Sequence, residues 1–307
     1  MLSDKNTLIL IVGPTGAGKS AAALALAGRI GGEIITCDSM QVYKGFDIGT
    51  DKPPAEARKA VPHHLLDIVD GSAQFTAADF AALAFNAILA IGRRHAVPLI
   101  VGGTGLYFKA LLEGLFPGPG RDESVRRALD REAREQGLDH LWRRLKTVDP
   151  AYARKIGPND RIRIVRALEV EAVTGIPLSA HFGRTQSRIQ DYFARKIGLQ
   201  WEREELYRRI EARVDRMFER GLVEEVRGLL ASGIKETAPP FNALGYKYVL
   251  SYIKGLIDLE KAVALTKIDT RHYAKRQMTW FRKMDGVRWF RGDELPAIIT
   301  FIEESMN

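Results

Sequence analysis

The chain has 307 residues, of which 46% are hydrophobic and 27% charged, a composition typical of a globular protein with a sizeable core. Its single cysteine excludes an internal disulfide and a cysteine-cluster metal site. No apolar run approaches the length of a membrane span, so we expect a cytoplasmic protein with no membrane partner. The net charge of +8 favours a polyanionic partner, nucleic acid first, although a basic solvated surface would give the same composition.

The first predicted elements flank a glycine-rich loop. Residues 8–12 are an apolar run typical of a buried parallel strand, and residues 21–27 have high helix propensity. Between them, GPTGAGKS at 13–20 fits the pattern G-x-x-x-x-G-K-[ST] at every fixed position. In such a loop, backbone N–H groups and the helix N-terminus attract phosphate, the lysine adds a full charge and the serine can hold Mg²⁺. The alternative is a glycine-rich helix cap with an incidental lysine. We predict a polyphosphate site formed by Gly13, Pro14, Thr15, Gly16, Ala17, Gly18, Lys19 and Ser20.

Two more predicted strands end at residues that could serve the same site. Residues 34–37 lead to Asp38, and residues 98–101 lead through two glycines to Thr104, with a predicted helix at 80–94 between them. This alternation predicts a parallel sheet with helices on both faces, where ligands bind at the carboxyl ends of the strands. Asp38 could hold Mg²⁺ through water, act as a general base, or cap the next turn. Thr104 could offer a hydroxyl to the phosphate or belong to a turn that needs glycine.

The middle of the chain is predicted to form a basic helical insertion. LFPGPG at 115–120 is a turn-rich break, and residues 121–145 and 160–173 are predicted helices. Residues 121–188 contain 15 basic and 10 acidic residues. The predicted fold is therefore an α/β, P-loop NTPase-like parallel sheet flanked by helices, with a mostly helical insertion. Its core would comprise residues 1–120 and 190–307, and the insertion residues 121–189.

The last third returns to the core. A strand is predicted at 192–201, followed by an amphipathic helix with apolar residues 206, 210, 214 and 217 on one face and arginines 209, 213, 216 and 220 on the other. Arg209 and Arg213 could converge on phosphate oxygens, or form a solvated stripe paired with Glu205 and Glu211. A final helix is predicted at 259–284, and residues 271–291 carry 7 basic residues against one acid.

The chain lacks the Asn-Lys-x-Asp stretch that recognises guanine. A phosphate loop without an evident pocket for a nucleotide base favours a ligand that is chiefly a diphosphate. We expect the pair His63–His64 to be structural, and Cys37 beside Asp38 is a poor candidate for a catalytic thiolate.

Taken together, eight segments resemble the tRNA dimethylallyltransferase family, also called tRNA isopentenyltransferases. They are GPTGAGKS at 13–20, CDSMQVYKGFDIGTDKP at 37–53, PHHLLDI at 62–68, TAADF at 76–80, VGGTGLYFKALLEGL at 101–115, PNDRIRIVRALEV at 158–170, ALGYK at 243–247 and AKRQMTWFRK at 274–283. Only the first is specific by itself, but their joint order covers nearly the whole chain.

The resemblance implies transfer of a dimethylallyl group from dimethylallyl diphosphate to the N6 amine of the adenine 3′ to a tRNA anticodon, position 37, with release of diphosphate. It implies that Lys19 and Ser20 bind diphosphate and Mg²⁺, and that Asp38 is the general base. Thr104 would contact the leaving diphosphate, and Arg213 would steady it with Arg209. We expect a monomer that binds the tRNA anticodon stem-loop. The implied tRNA contacts are Asp38, Ser39, Met40, Gln41, Thr104, Arg126, Ile162, Arg163, Ile164, Val165, Arg166, Gly245, Tyr246, Lys247, Lys275, Arg276, Gln277, Trp280 and Arg282.

Three positions depart from the family pattern. Glutamine is usual where Ile162 stands and frequent where His272 stands, and Gly16-Ala17 replaces a commoner Ala-Ser. Two alternatives share the phosphate loop: an adenylate isopentenyltransferase that acts on free AMP, ADP or ATP, and an RNA-binding P-loop nucleotide switch. The basic insertion and the segment 274–283 disfavour the first alternative. The contexts of Asp38 and Thr104 disfavour the second.

Overall fold

The computed structural model describes residues 6–116 and 118–306; Pro117, in the predicted break at 115–120, lies outside the described residues. The strands are β1 (Thr7–Val12), β2 (Gly32–Cys37), β3 (His63–His64), β4 (Val97–Gly102), β5 (Phe193–Gln200) and β6 (Val287–Arg291). The helices are α1 (Lys19–Ile30), α2 (Ala55–Ala60), α3 (Ala77–Arg93), α4 (Gly105–Leu112), α5 (Glu123–Gln136), α6 (Leu138–Val148), α7 (Pro150–Ala153), α8 (Arg161–Thr174), α9 (Arg203–Glu219), α10 (Leu222–Ala231), α11 (Tyr246–Ile253), α12 (Leu259–Phe281) and α13 (Leu295–Met306). Two 3-10 helices cover Leu178–Arg184 and Pro239–Asn242.

The strands form one parallel sheet in the order β3-β2-β4-β1-β5-β6. The central strand β1 pairs with β4 in the register Ile9↔Leu99 and with β5 in the register Ile9↔Arg195. Residues 8–12 are fully buried because helices cover both faces, as is typical of parallel sheets. This architecture confirms the predicted α/β class and places the carboxyl ends of β1, β2 and β4 side by side.

Some elements differ from the sequence prediction. The single helix predicted over 121–145 is wrong: α5 ends at Gln136, Gly137 adopts φ +85°, and α6 begins at Leu138. A left-handed φ is cheap only for glycine, so the break is fixed by that residue. Strand β6 was not predicted, because its run of five residues, VRWFR, is short and carries two arginines, unlike the apolar runs of the buried strands; it lies at the edge of the sheet.

The chain separates into two compact units, Met1–Leu112 with Ile189–Asn307, and Glu113–Arg188. The first holds the sheet. The second packs α5, α6, α7 and α8 around a core of its own that includes Leu129, Leu141, Leu145, Ile164 and Leu168. Across the described residues, no helix is long and apolar enough to cross a membrane.

Candidate functional site

The glycine-rich loop connects β1 to α1 at the carboxyl edge of the sheet. Gly13 has φ +142°, and a Cβ atom there would lie 2.5 Å from the Leu199 carbonyl oxygen, so only glycine fits. Gly18 has φ +94° and precedes the first turn of α1. The unpaired N–H groups of that first turn carry partial positive charge, which suits an anion.

Side chains from distant elements hold this loop in place. The backbone N–H of Thr15 donates to Gln277 Oε1 at 2.8 Å, and Gln277 Nε2 donates to the Gly103 carbonyl at 2.9 Å. Arg209 Nε donates to the Gly16 carbonyl at 3.0 Å, and the guanidinium lies 4.4 Å from the centre of the Trp201 ring. Gln277 and Arg209, predicted to contact tRNA and diphosphate, therefore bond directly to the loop.

A cavity of about 300 Å³ opens beside the loop and collects residues from several separate segments of the first unit. Of the predicted site residues, it is lined by Thr15, Lys19, Ser20, Asp38, Ser39, Met40, Gln41, Arg213, Arg276 and Gln277. Among the wall residues that sequence reasoning missed are Tyr273 and the apolar side chains Val101, Val214, Met217 and Leu244. The cavity therefore has a cationic end, formed by side chains such as Lys19 and Arg213, and an apolar wall.

Asp38 both lines the cavity and caps a turn. Its Oδ1 accepts the backbone N–H groups of Met40 at 2.8 Å and Gln41 at 3.3 Å. The capping alternative and the general-base hypothesis are therefore compatible, because one oxygen holds the turn. Within residues 6–116 and 118–306, Oδ2 has no hydrogen-bond partner, and it is available to accept a proton.

Thr104 follows β4 and lies beside Asp38. Its Oγ1 accepts the Ser39 backbone N–H at 3.2 Å, but Thr104 itself does not line the cavity. Tyr273, which lines the cavity, was not predicted from the sequence. The available signal was its spacing of four residues from Gln277, which places both on one face of α12.

Arg213 comes from α9 and contacts the phosphate loop. Its guanidinium donates to Thr15 Oγ1, and its Nε lies 3.1 Å from Asp51 Oδ2. The angle to Asp51 is poor, so the buried Nε–H has no hydrogen-bond acceptor among the described residues. A buried donor without a partner is costly, which makes this N–H a ready donor for a ligand. The predicted alternative of a stripe paired with Glu205 and Glu211 does not describe Arg213, since those carboxylates pair with Arg208 and Arg271.

The electrostatics of Lys19 reflect this crowding of cations. Its Nζ donates to the Pro14 carbonyl at 2.7 Å. Desolvation, together with the nearby charge of Arg213, lowers the pKa of Lys19 to about 7, although Asp38 opposes the shift. An anionic ligand would reverse this effect.

A second cavity, of about 520 Å³, lies on the α9 side of the loop. Lys19, Ser20, Asp51 and Arg213 line both cavities. The second cavity adds Arg208, Arg209 and Arg216, so the approach to the loop from this side is strongly cationic.

The compact helical unit holds several predicted tRNA contacts in internal bonds. Arg126 makes two bonds of 2.9 Å to Glu169, and Arg166 bonds to the same carboxylate at 2.8 Å. Burial opposes ionisation of Glu169, but bonds from both arginines lower its pKa to about 2. Ile164 and Val165 are buried in the core of the unit, whereas Ile162 is 82% exposed. Arg163 is exposed too, and pairs with Asp160 at 3.4 Å.

The remaining predicted contacts divide by exposure. Tyr246 is buried, and its hydroxyl donates a hydrogen bond to Glu225 at 2.6 Å. Gly245, directly before it, adopts φ +86°. Lys247 forms an ion pair with Asp269 at 2.5 Å. Lys275 and Trp280 on α12, and Arg282 directly after it, are exposed. Lys275 and Arg282 line a third cavity, of about 550 Å³, together with Trp201 and Trp289.

His63, His64 and Cys37 have structural environments. His64 Nε2 lies 2.6 Å from Glu33, which also binds Arg94, and His63 Nδ1 lies 2.7 Å from the Val61 carbonyl. Burial raises the pKa of the Cys37 thiol well above its usual value, which disfavours a thiolate.

Comparisons with known proteins agree over most of the chain. A sequence model of the family described as IPP transferase matches residues 41–284. The chain is 51% identical over 286 residues to the tRNA dimethylallyltransferase of Geobacter metallireducens, with 93% of each chain covered. It is 49% identical over 294 residues to the tRNA dimethylallyltransferase of Geobacter sulfurreducens, with 96% of this chain and 94% of the relative covered.

Solved structures give the same result. The full-length tRNA isopentenylpyrophosphate transferase of Bacillus halodurans aligns with a TM-score of 0.72 at 40% identity, covering 98% of this chain and 97% of that one. A eukaryotic dimethylallyltransferase acting on tRNA aligns with a TM-score of 0.79 at 31% identity, covering 98% of this chain and 77% of that one.

Proposed function

This chain belongs to the IPP transferase family, and we propose that it transfers a dimethylallyl group from dimethylallyl diphosphate to the N6 amine of adenine 37 in tRNA. The resemblance drawn from the sequence motifs is thereby confirmed at the level of the family. One observation carries the proposal: a single cavity is lined by the Asp38 carboxylate, the cations Lys19 and Arg213, and an apolar wall. Neither alternative, a mononucleotide transferase or a nucleotide switch, is favoured by the relatives.

The cationic end of the cavity suits the diphosphate. Loop N–H groups, Lys19 and the unpartnered Nε–H of Arg213 supply donors at the N-terminus of α1. As the allylic C–O bond breaks, negative charge grows on the leaving diphosphate, and donors already in place stabilise that charge without reorganisation. The apolar side chains Val101, Val214 and Met217 offer a surface for the five-carbon chain.

The other substrate is a weak nucleophile, since the adenine amine donates its lone pair to the ring. Asp38 Oδ2 would accept the amine proton as the new C–N bond forms. A base stacked in an anticodon loop must leave the stack to reach a cavity, which costs a few kcal/mol. Contacts from exposed cations to the RNA backbone would offset that cost.

The site also suits a divalent metal, which we propose is Mg²⁺. Ser20 follows Lys19 and lines both cavities at the loop. No group of three or more metal-ligating side chains occurs in the described part of the chain. An ion here would therefore take most of its ligands from phosphate oxygens and water, as Mg²⁺ usually does in phosphate sites. When bound, Mg²⁺ would neutralise charge on the leaving group.

A competition assay tests the proposed function. The protein is incubated with Mg²⁺, labelled dimethylallyl diphosphate, tRNA and AMP. We expect label in tRNA, at the adenine 3′ to the anticodon. Label in AMP alone would identify a mononucleotide transferase. A parallel incubation contains ATP as well, and hydrolysis of that ATP without label transfer would identify a nucleotide switch.

The affinity for dimethylallyl diphosphate should fall as the pH rises above about 7. Lys19 has a pKa of about 7 in the free protein, and a bound anion favours its charged form, which raises that pKa. The bound state then holds more protons than the free state, so increasing pH weakens binding, by up to about tenfold per pH unit. Binding constants between pH 6 and 9 check this result. The variant Lys19→Arg stays charged, so its affinity should not fall with pH through deprotonation at this position. If the affinities of the variant and the wild type fall equally between pH 6 and 9, the prediction is contradicted.

Neutralising Lys275 and Arg282 should weaken tRNA binding in a salt-dependent way. Both side chains are exposed beside Trp201 and Trp289, where cations and aromatic rings together suit single-stranded RNA. Each lost phosphate contact lowers the slope of log K against log salt by about one, so K275Q/R282Q should lower it by about two.

The matched control is Lys59→Gln with Arg93→Gln. Both residues are exposed near the C-terminal ends of α2 and α3, and neither lines the cavity that contains Lys275 and Arg282. Their replacement should leave the slope unchanged. A slope for K275Q/R282Q equal to that of the control would exclude phosphate contacts at α12.

A further inference from the structure

Asp51 places a carboxylate among the cations of the phosphate site. Among the described residues, it is the one acid that lines both cavities at the glycine-rich loop. Its Oδ2 lies 3.1 Å from Arg213 Nε, and its Oδ1 lies 3.7 Å from a terminal nitrogen of Arg220. Its negative charge therefore lies beside the space that the diphosphate would occupy.

The backbone of Asp51 has a conformation that side chains rarely adopt. Its φ is +54°, in the left-handed region, where aspartate and asparagine are tolerated better than most residues. Residues other than glycine keep such a conformation where the surrounding structure fixes it, and they concentrate at ligand sites. The fold around Asp51, rather than its own backbone preference, thus sets where the carboxylate lies.

Hydrogen bonds hold the segment around Asp51 in place. The Glu225 carboxylate accepts the three successive backbone N–H groups of residues 47–49, at 3.0, 2.7 and 3.3 Å. Gln41 Nε2 donates to the carbonyl of the residue before Asp51 at 3.0 Å and to the carbonyl of Asp51 itself at 3.3 Å. A carboxylate carried by so firmly bonded a backbone stays near the cavities when an anion arrives.

Asp51 could affect a bound anion in two opposite ways. Pairing with Arg213 could orient that guanidinium toward the ligand, whereas the negative charge offsets the arginine and repels the ligand. The geometry favours the second effect. Among the described residues, Arg213 Nε has no hydrogen-bond acceptor although Asp51 lies 3.1 Å away, and the guanidinium bonds instead to Thr15 Oγ1. The pair with Asp51 therefore neutralises charge without orienting the arginine.

We propose that Asp51 is an internal counter-ion that limits the affinity of the phosphate site for diphosphate and so speeds release of that product. This inference rests on the proposed function. In the free protein the carboxylate offsets the charges of Arg213 and Arg220. With diphosphate bound, like charges lie close together, so the complex is less stable than it would be with a neutral side chain. Product release limits turnover in many enzymes, and a lower affinity for the product shortens that step.

The substitution Asp51→Asn tests the proposal, because asparagine keeps the shape, tolerates a positive φ and removes only the charge. The side chains of Asp51 and Arg213 are 41% and 22% exposed, so solvent keeps the effect modest. We expect D51N to bind inorganic diphosphate about three- to tenfold more tightly than the wild type, measured by calorimetry with and without Mg²⁺. The difference should shrink between about 50 and 500 mM salt, because ions screen exposed charges. A purely structural effect would not depend on salt in this way.

The matched control is Asp70→Asn, which removes the same charge from an exposed side chain. Asp70 pairs with Lys44 at 2.9 Å and lines neither cavity at the loop, so D70N should bind diphosphate like the wild type. An affinity of D51N equal to or below that of D70N would overturn the proposal. A loss of affinity confined to solutions with Mg²⁺ would also overturn it, by identifying Asp51 as a metal ligand. Failure of the wild type to bind diphosphate would instead overturn the proposed function.

Discussion

Replacing Asp38 with asparagine should lower kcat for dimethylallyl transfer to tRNA by about 10²–10⁴-fold, the usual contribution of a positioned general base. The variant keeps the shape of the side chain and loses its basicity. Because the unpartnered oxygen of Asp38 lies at the cavity, the proton of the adenine amine would have no acceptor there. Single-turnover rates with labelled dimethylallyl diphosphate measure the effect, and tRNA and diphosphate binding should remain nearly unchanged.

Asp38→Asn tests the general-base function alone, because Asp38 also has a second, structural function. Its Oδ1 accepts the N–H groups of Met40 and Gln41, and an asparagine oxygen can still do so. Asp38→Ala would also release this turn, and should cost stability in addition to turnover, by about 0.5–2 kcal/mol for a lost cap. Turnover of D38N within about threefold of the wild type would show that proton acceptance by Asp38 is not part of the slow step.

The sequence predicted the centre of the site because topology restricts it. Each of residues 13–20, Asp38 and Thr104 directly follows a strand, and parallel strands align their carboxyl ends, so proximity followed from order alone. The structure brings all three close together, but only the loop and Asp38 line the cavity, whereas Thr104 bonds to the backbone of Ser39. The family resemblance added roles to residues that topology had already brought together.

The rest of the site depends on pairings that no local pattern encodes. Arg126 and Arg166 are surface-like in sequence, yet both bond to Glu169, which is fully buried in the same unit. A buried carboxylate within a helix cannot be distinguished by periodicity from an exposed one. Tyr273 was missed for the same reason, since it reaches the cavity only through the packing of α12 against elements that lie far away in sequence. Long-range register therefore sets which polar residues face the ligand.

Replacing Arg213 with glutamine should lower kcat by about 10²–10³-fold, as expected for loss of a charged donor to the leaving group. Arg213 bridges the two cavities, donates to Thr15 and retains one buried N–H without an acceptor. Glutamine keeps a polar end of moderate length but supplies neither the charge nor the planar pair of donors. Pre-steady-state transfer of label to tRNA measures the effect on the chemical step.

Arg220 supplies the matched control: it directly follows the last residue of α9 and shares the carboxylate of Asp51 at 3.7 Å, yet does not line either cavity at the loop. Arg220→Gln removes the same charge from the protein and should leave kcat nearly unchanged.

Arg213→Lys separates the effect of charge from that of geometry. Lysine keeps the positive charge but lacks the planar pair of N–H donors of the guanidinium, so the rate of this variant should lie between those of the wild type and R213Q. Equal rates for R213Q and R220Q would mean that Arg213 acts only through the general positive field of α9, and the leaving group would then depend on Lys19 and the loop amides.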